Sequence, residues 1–494
     1  MSVFFLDNLS EIEKRQISVF NRENKFYSYE KLAFLVDECA KYFYWERNIK
    51  SGETVISILE NSFENVIIFL AAMKLGLKFH PINCDTNFYS ILKVSKLLKA
   101  NNVVFSEFIN KDLQKKIKEL SMHKTCVKKN FIKNILSKKR KKIKYGRHGK
   151  LLINSSGTTG DSKIIQIDFF SLINSAKNFI NNYKIKKNNC FWNFLPMSYL
   201  GGLFNLLIIP LVARGKVLID ESFSGNTFLI FWSTIENHKI SVLWLVPTIL
   251  NGLLKLYENI KINEKKYENL INHTFIGTAP ITNKKKNQFF KKFNLYPLEN
   301  YGLSETTFIS LEKKKNIGRL FIDQKVRVKI NYSNKENKVG NILVKSPFLC
   351  DGYLSNGKLI KIKKNIFWDT GDIGFKKSKS LVITGRERDI IKKGGILIGL
   401  NEIEETIINI ESVENAVCKK IHDKFYVENY NLFIELSDTK KNKIRLTKIK
   451  DKILNLISKS KWPNKVFIVK KIPQTTSGKN KKNSIEKYIL NEIK

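Results

Sequence analysis

Hydroxyl side chains, two glycines and a lysine crowd into one short segment: Ser155, Ser156, Gly157, Thr158, Thr159, Gly160 and Lys163. The apolar run Leu151–Ile153 leads into it and reads as a buried strand. Glycine lets backbone N–H groups approach an anion closely, hydroxyls donate further bonds, and the lysine adds a full positive charge. The chemistry this suits is the holding of phosphate. It is not the common nucleotide loop, because Ser162 stands where that loop needs glycine before its lysine. Alone, such a loop is also what an ordinary surface turn looks like.

Further segments follow in order. Pro196-Met-Ser-Tyr-Leu-Gly-Gly-Leu203 precedes an apolar, helix-like run, and Gly277-Thr-Ala-Pro280 follows a strand. Asn300-Tyr-Gly-Leu-Ser-Glu-Thr306 comes next, and Asp369-Thr-Gly-Asp372 reads as the end of a strand. Gly385-Arg-Glu-Arg-Asp389 runs on to Gly394-Gly395, and Pro473-Gln-Thr-Thr-Ser-Gly-Lys479 closes the series. Taken singly, Tyr301 is an ordinary core residue and Glu305 and Asp372 ordinary surface carboxylates. In this order and spacing the segments resemble the adenylate-forming superfamily of acyl-CoA synthetases, nonribosomal adenylation domains and firefly-type luciferases.

The resemblance implies a role for each match. The loop Ser155–Gly160, with Lys163, would wrap the β- and γ-phosphates of ATP. Tyr301, followed by Gly302, would offer a ring to the adenine, and Ser304 a hydrogen bond to the α-phosphate. Glu305 would hold Mg²⁺, a hard ion that takes oxygen ligands. Asp372 would accept the ribose hydroxyls beside the fixed cation Arg386. Lys479 would bridge the incoming carboxylate and the α-phosphate. Arg388 falls at the family's hinge, and Gly394 and Gly395 would line a channel for a pantetheine arm. The implied reaction is acyl-adenylate formation followed by transfer to a thiol, of coenzyme A or of a separate carrier protein. A catalytically degenerate nucleotide-binding protein is the rival from another class, and retention of Glu305, Asp372, Arg386 and Lys479 opposes it. Ser162, Ile164, Leu400 and Lys482 depart from the family pattern, as does Asn341, where glutamate is usual. Tyr199, Leu203, Phe204, Trp244 and Gly277 would line the acyl pocket. Between Phe169 and Ile219 there is no Asp or Glu to pair with an α-ammonium group, so an apolar acyl or aryl acid is expected over an amino acid.

These residues need elements to position them. Val55–Leu59, Phe63–Leu75 and a second strand ending at Asn83 read as strand, helix, strand, which implies parallel sheet and an α/β fold. Lys128–Lys150 reads as an exposed basic connection. Strands are expected at 241–246, 273–277 and 341–344, helices at 400–410 and 444–458, and a strand at 432–436. The 494 residues exceed one core. The expectation is a large N-terminal domain of layered α/β sheets over 1–387 and a small, mobile α+β domain over 388–494. The net charge of +42 reflects lysines spread over the whole length, without interleaved aromatics, so nucleic-acid binding is not expected. Six scattered cysteines, no apolar run of membrane-spanning length and no signal peptide together point to the cytoplasm.

Overall fold

The computed structural model describes residues 4–493 except 155–162, 261–263, 279–280, 315, 333–338, 356, 394–395, 411, 424–426, 437–448, 450–451, 454–455, 458–460 and 475–479. The side chains of 316, 388, 390, 392, 396, 397 and 427 are likewise outside the description. The described strands form three sheets of thirteen, eight and six strands. No described helix is long and apolar enough to cross a membrane.

The eight-stranded sheet is parallel at its centre. Thr54–Ile58 lies between Lys78–Pro81 and Asn102–Ser106, and Lys150–Asn154 extends it beside Lys78–Pro81. The helix Phe63–Leu75 makes the crossover between two of these strands. Ser62 caps its N-terminus through Asn65 N–H, and Gly76 ends it at φ 83. All its residues but Glu64 are buried, and its one lysine, Lys74, is paired with Asp7 and Asp37. Each fully buried Leu, Ile or Phe there contributes about 1.5–3 kcal/mol.

The thirteen-stranded sheet carries the residues of interest. Its parallel part contains Cys190–Asn193, Val242–Leu245 and His273–Ile276. It turns antiparallel at the hairpin Leu298–Leu303 with Thr307–Lys313 and continues through Trp368–Lys377 and Ser380–Arg386. The third sheet uses strands between 390 and 493 and has its own apolar core, with Ile403 and Ile407 of the helix Leu400–Ile408 packed on Tyr430, Leu432 and Ile434. The sequence expectation of layered α/β sheets with a smaller α+β part is met.

Two local expectations change. Residues 128–150 include the helix Phe131–Leu136 with Phe131 and Ile135 buried, and Arg140 is drawn into ion pairs with Glu46 and Glu38. The charges had masked two apolar anchors one helical turn apart. Asp369–Asp372 opens the strand Trp368–Lys377, where it was expected to end one; Gly371, at φ 69, kinks this strand without stopping it. Of the amphipathic stretch 444–458, most lies outside the described residues.

Candidate functional site

Asp372 and Arg386 face each other across the antiparallel pair Trp368–Lys377 and Ser380–Arg386. Arg386 Nε donates to Asp372 Oδ1 at 2.8 Å, and Tyr301 OH donates to Oδ2 at 2.6 Å. Asp372 is 3% exposed, and its own N–H is fixed on Thr370 Oγ1. Burial, then the Asp372 charge, raise the Tyr301 phenol well above its ordinary range, so it remains a donor. The ring leans on the small cluster built from Ile309, Val328 and Ile342. Its setting comes from a bulge in the hairpin, where Tyr301 pairs with Ser310 but Gly302 pairs with Phe308. A Cβ on Gly302 would lie 1.7 Å from Thr307 O, so only glycine closes the hairpin there.

Ser304 and Glu305 occupy the turn of the same hairpin, pinned by Thr306 Oγ1 on Leu303 N–H. Glu305 C=O accepts from Cys350 N–H at 2.7 Å, and Glu305 Oε1 accepts from Tyr353 OH at 3.1 Å. Lys163 Nζ sits 5.4 Å from the centre of the Tyr353 ring, a cation–π contact. Lys163, Tyr353 and Glu305 therefore gather in one place. Tyr353 was not singled out in the sequence: it lies 48 residues from Glu305 in a strand with no motif of its own. Asn341, the departure from the family pattern, donates to Asp369 at 3.2 Å across the neighbouring strand.

Of the expected acyl-pocket residues, Phe204 and Trp244 meet on one aromatic stack, and Gly277 lies beside Trp244. Trp244 lies against Phe308 with ring centres 5.8 Å apart, and Phe204 against Phe308 at 5.7 Å. Trp244 is 1% exposed, yet its Nε1–H has no partner among the described residues. A Cβ on Gly277 would lie 4.0 Å from that nitrogen, so the indole N–H looks towards the bare face of Gly277. Tyr199 precedes Gly201–Ile208, a buried π-helix that holds Leu203 and Phe204. Its hydroxyl is also buried without a partner among the described residues, and burial pushes the phenol pKa up.

The π-helix has a cause in the sequence. Pro210 supplies no N–H, and Ile209 N–H reaches back five residues to Phe204 O. Gly202 packs on the Leu195–Pro196 backbone, where a Cβ would approach Pro196 O to 2.3 Å. Asn61 holds the same segment, donating to Leu195 O and accepting from Met197 N–H.

The phosphate-loop residues Ser155, Ser156, Gly157, Thr158, Thr159 and Gly160 lie outside the described residues, as do Gly394, Gly395 and Lys479. The flanks of the last are placed. Gln474 and Asn480 bridge one another, and Gln474 Oε1 accepts from Thr248 Oγ1 at 3.1 Å, three residues after the Trp244 strand ends at Leu245. Lys482 Nζ binds Glu404 at 3.0 Å and Asp389 at 3.2 Å. Asp389 ends the 3₁₀ turn Glu387–Asp389, which contains the Arg388 backbone and joins the thirteen-stranded sheet to the third sheet. Glu404 also accepts from Cys418 N–H, and burial raises its pKa against the pull of Lys482. No described group of His, Cys, Asp and Glu has the arrangement of a multi-ligand metal centre. A single carboxylate such as Glu305 still suits a hard ion that keeps most of its waters.

Comparison with known proteins agrees with this arrangement. The chain is similar to the oxalate–CoA ligase of Arabidopsis thaliana, 23% identical over 508 residues, covering 97% of this chain and 96% of the relative. The oxalate–CoA ligase of Saccharomyces cerevisiae is 26% identical over 342 residues, 67% of this chain and 61% of that protein. Among solved structures, ATP-bound MatB from Rhodopseudomonas palustris superposes with a TM-score of 0.85 at 19% identity, covering 98% of this chain and 97% of its own. The o-succinylbenzoate CoA synthetase of Bacillus subtilis with its acyl-adenylate intermediate gives 0.81 at 19% identity, covering 98% of each chain. The sequence model of the AMP-binding enzymes matches residues 10–354, and with that match the chain belongs to the AMP-binding enzyme family.

Proposed function

We infer that the protein is an AMP-forming acid–CoA ligase. The observation that carries this reading is the short segment Tyr301–Glu305, with a sugar-suited unit at one end and a phosphate-suited unit at the other. At the first end Tyr301, Asp372 and Arg386 are joined by hydrogen bonds. At the second, Glu305 meets Tyr353, whose ring carries Lys163. A nucleotide has the same two ends. Relatives over nearly the whole chain are named as ligases of a carboxylic acid with coenzyme A.

In the first half-reaction a carboxylate oxygen of the acid attacks the α-phosphorus of ATP. The bond from that phosphorus to the bridging oxygen breaks, and pyrophosphate leaves. Two anions must meet, so the protein's task is positioning and charge neutralisation. Asp372 accepts ribose hydroxyls beside Tyr301 and Arg386, and Tyr301 presents its ring to the base. Ser304 bonds the α-phosphate, while Lys163 and the loop 155–160 receive the leaving phosphates. Lys479 neutralises the carboxylate and α-phosphate together. Glu305 would hold Mg²⁺, which supplies further positive charge at the phosphates. In the second half the thiol sulfur of coenzyme A attacks the acyl carbonyl carbon, its proton passing to solvent. The bond from that carbon to the phosphate oxygen breaks, and AMP leaves. We assign the swivel between the halves to the turn at Arg388, dividing 1–387 from 388–494, and the pantetheine path to Gly394 and Gly395. The six free cysteines suit a reducing cytoplasm, where we place the protein.

The test is pyrophosphate release from ATP across a panel of carboxylic acids, with and without coenzyme A. Acid-dependent release, with acyl-CoA appearing only when coenzyme A is present, is expected. Release that ignores the acid would overturn the reading.

A further inference from the structure

Among the described residues, two buried hydrogen-bond donors of the expected acyl pocket have no partner: Trp244 Nε1–H and Tyr199 OH. A buried donor left unpaired is costly, so native interiors rarely keep one, and two beside one binding surface call for a reason. Trp244 is 1% exposed, and its Nε1 lies beside Gly277, where among the described residues a Cβ would have Asn300 O and this nitrogen within 4 Å. Tyr199 OH is buried at the entrance to the π-helix that carries Phe204, and Phe204 and Trp244 share the Phe308 ring.

We propose that the acid activated here carries, besides its reacting carboxylate, a neutral oxygen acceptor, a hydroxyl or a ketone, which Trp244 and Tyr199 bond. The inference rests on the ligase reading and names its substrate class. Neutrality follows from the surroundings. Phe179, Phe204, Phe275 and Phe308 carry no charge, and a second carboxylate buried among them against two neutral donors would lack a counter-ion. Discrimination follows from the donors. An acid of the same shape without the oxygen leaves both unpaired, and sites built to bond a substrate hydroxyl reject its deoxy analogue by several orders of magnitude, whereas apolar pockets separate neighbours only weakly.

Matched acids test this in the full-length protein with ATP, Mg²⁺ and coenzyme A. Pentanoate is compared with levulinate, phenylacetate with its para-hydroxy derivative, and succinate stands for a second carboxylate. The expectation is a kcat/KM at least about 10²-fold higher for the oxygen-bearing member of the favoured pair, with succinate poor. Trp244→Phe and Tyr199→Phe should each shrink that ratio by about 10-fold or more. The indole proton of Trp244, assigned by its loss in Trp244→Phe, should move downfield when the oxygen-bearing acid binds. Equal use of both members, a preference for succinate, or variants that lower every acid in parallel would overturn the inference while leaving the ligase reading intact. Failure of every acid in the wider panel to release pyrophosphate would instead remove the ligase reading, and this inference with it.

Discussion

Asp372 accepts from Arg386 on one oxygen and from Tyr301 on the other, and both donors come from other strands. Replacing it with alanine leaves Arg386 and the Tyr301 hydroxyl without their acceptor, so ATP affinity should fall by about 10-fold or more while the fold persists. Equilibrium nucleotide binding measures this, and parental affinity would contradict the assignment. Lys479→Ala should slow adenylation about 10²- to 10³-fold, as loss of one preorganised charge-stabilising group does. Thioester formation from supplied acyl-adenylate should be much less affected, and equal loss in both halves would show a structural role. His80 makes a prediction about acid. Its Nδ1 meets Leu152 O in the strand leading to the phosphate loop, and burial pulls its pKa from 6.5 down to about 4. The fold therefore holds it neutral while the unfolded chain takes up its proton near pH 6.5. Its contribution is intact above pH 6.5 and is lost as pH falls towards 4, at up to about 1.4 kcal/mol per pH unit. Unfolding free energies of the parent and of His80→Gln, measured across that window, should show a shallower slope in the variant.

At the scale of elements, the turn Glu387–Asp389 and the segment after Lys479 are tied by one lysine. Lys482 lies between Asp389 and Glu404 and keeps 28% of its side chain exposed. Lys482→Met would leave two carboxylates facing each other, at a cost of about 1–3 kcal/mol, less than for a fully buried pair because solvent screens part of it. Lys482→Arg should recover most of this, and thermal unfolding of the two variants separates them. Arg388→Pro removes an N–H and fixes φ near −65° within the 3₁₀ turn. Acyl-adenylate formation should stay near normal and thioester formation fall, and parental thioester rates in that variant would exclude the swivel. Legibility in the sequence varied by element. The helix Phe63–Leu75 was bounded to the residue because Ser62 and Gly76 mark both ends locally. The strand Trp368–Lys377 was misjudged at Asp369–Asp372 because a glycine at positive φ reads as a terminus when the pairing partners are unseen. The site divided the same way. Tyr301, Glu305, Asp372 and Arg386 were named from motifs, but their contacts span 14 to 71 positions and no local pattern encodes them. Tyr353 and Asn61 act only through such distant contacts.

At the scale of the whole molecule, the net charge of +42 bears on encounter more than on fold. ATP and coenzyme A are polyanions, and a cationic surface raises their local concentration until salt screens it. Between about 50 mM and 500 mM NaCl the Debye length shrinks roughly threefold, so kcat/KM for coenzyme A should fall several-fold with kcat little changed. A flat salt profile would show that the lysines are neutral for encounter. The two large sheets and the apolar core whose buried residues run from Phe4 to Cys350 form the frame of the larger part of the chain. Within that frame the π-helix Gly201–Ile208 has a consequence for how the pocket could change over generations. It contains one residue more than an ordinary helical turn needs. Deleting that residue would relax the segment to an α-helix and rotate everything before it by about 100° relative to everything after. Tyr199 would be carried round with the chain before it while Pro210 stayed in place. The pocket's chemistry could thus be reset by a change in chain length alone, with no side chain exchanged for another.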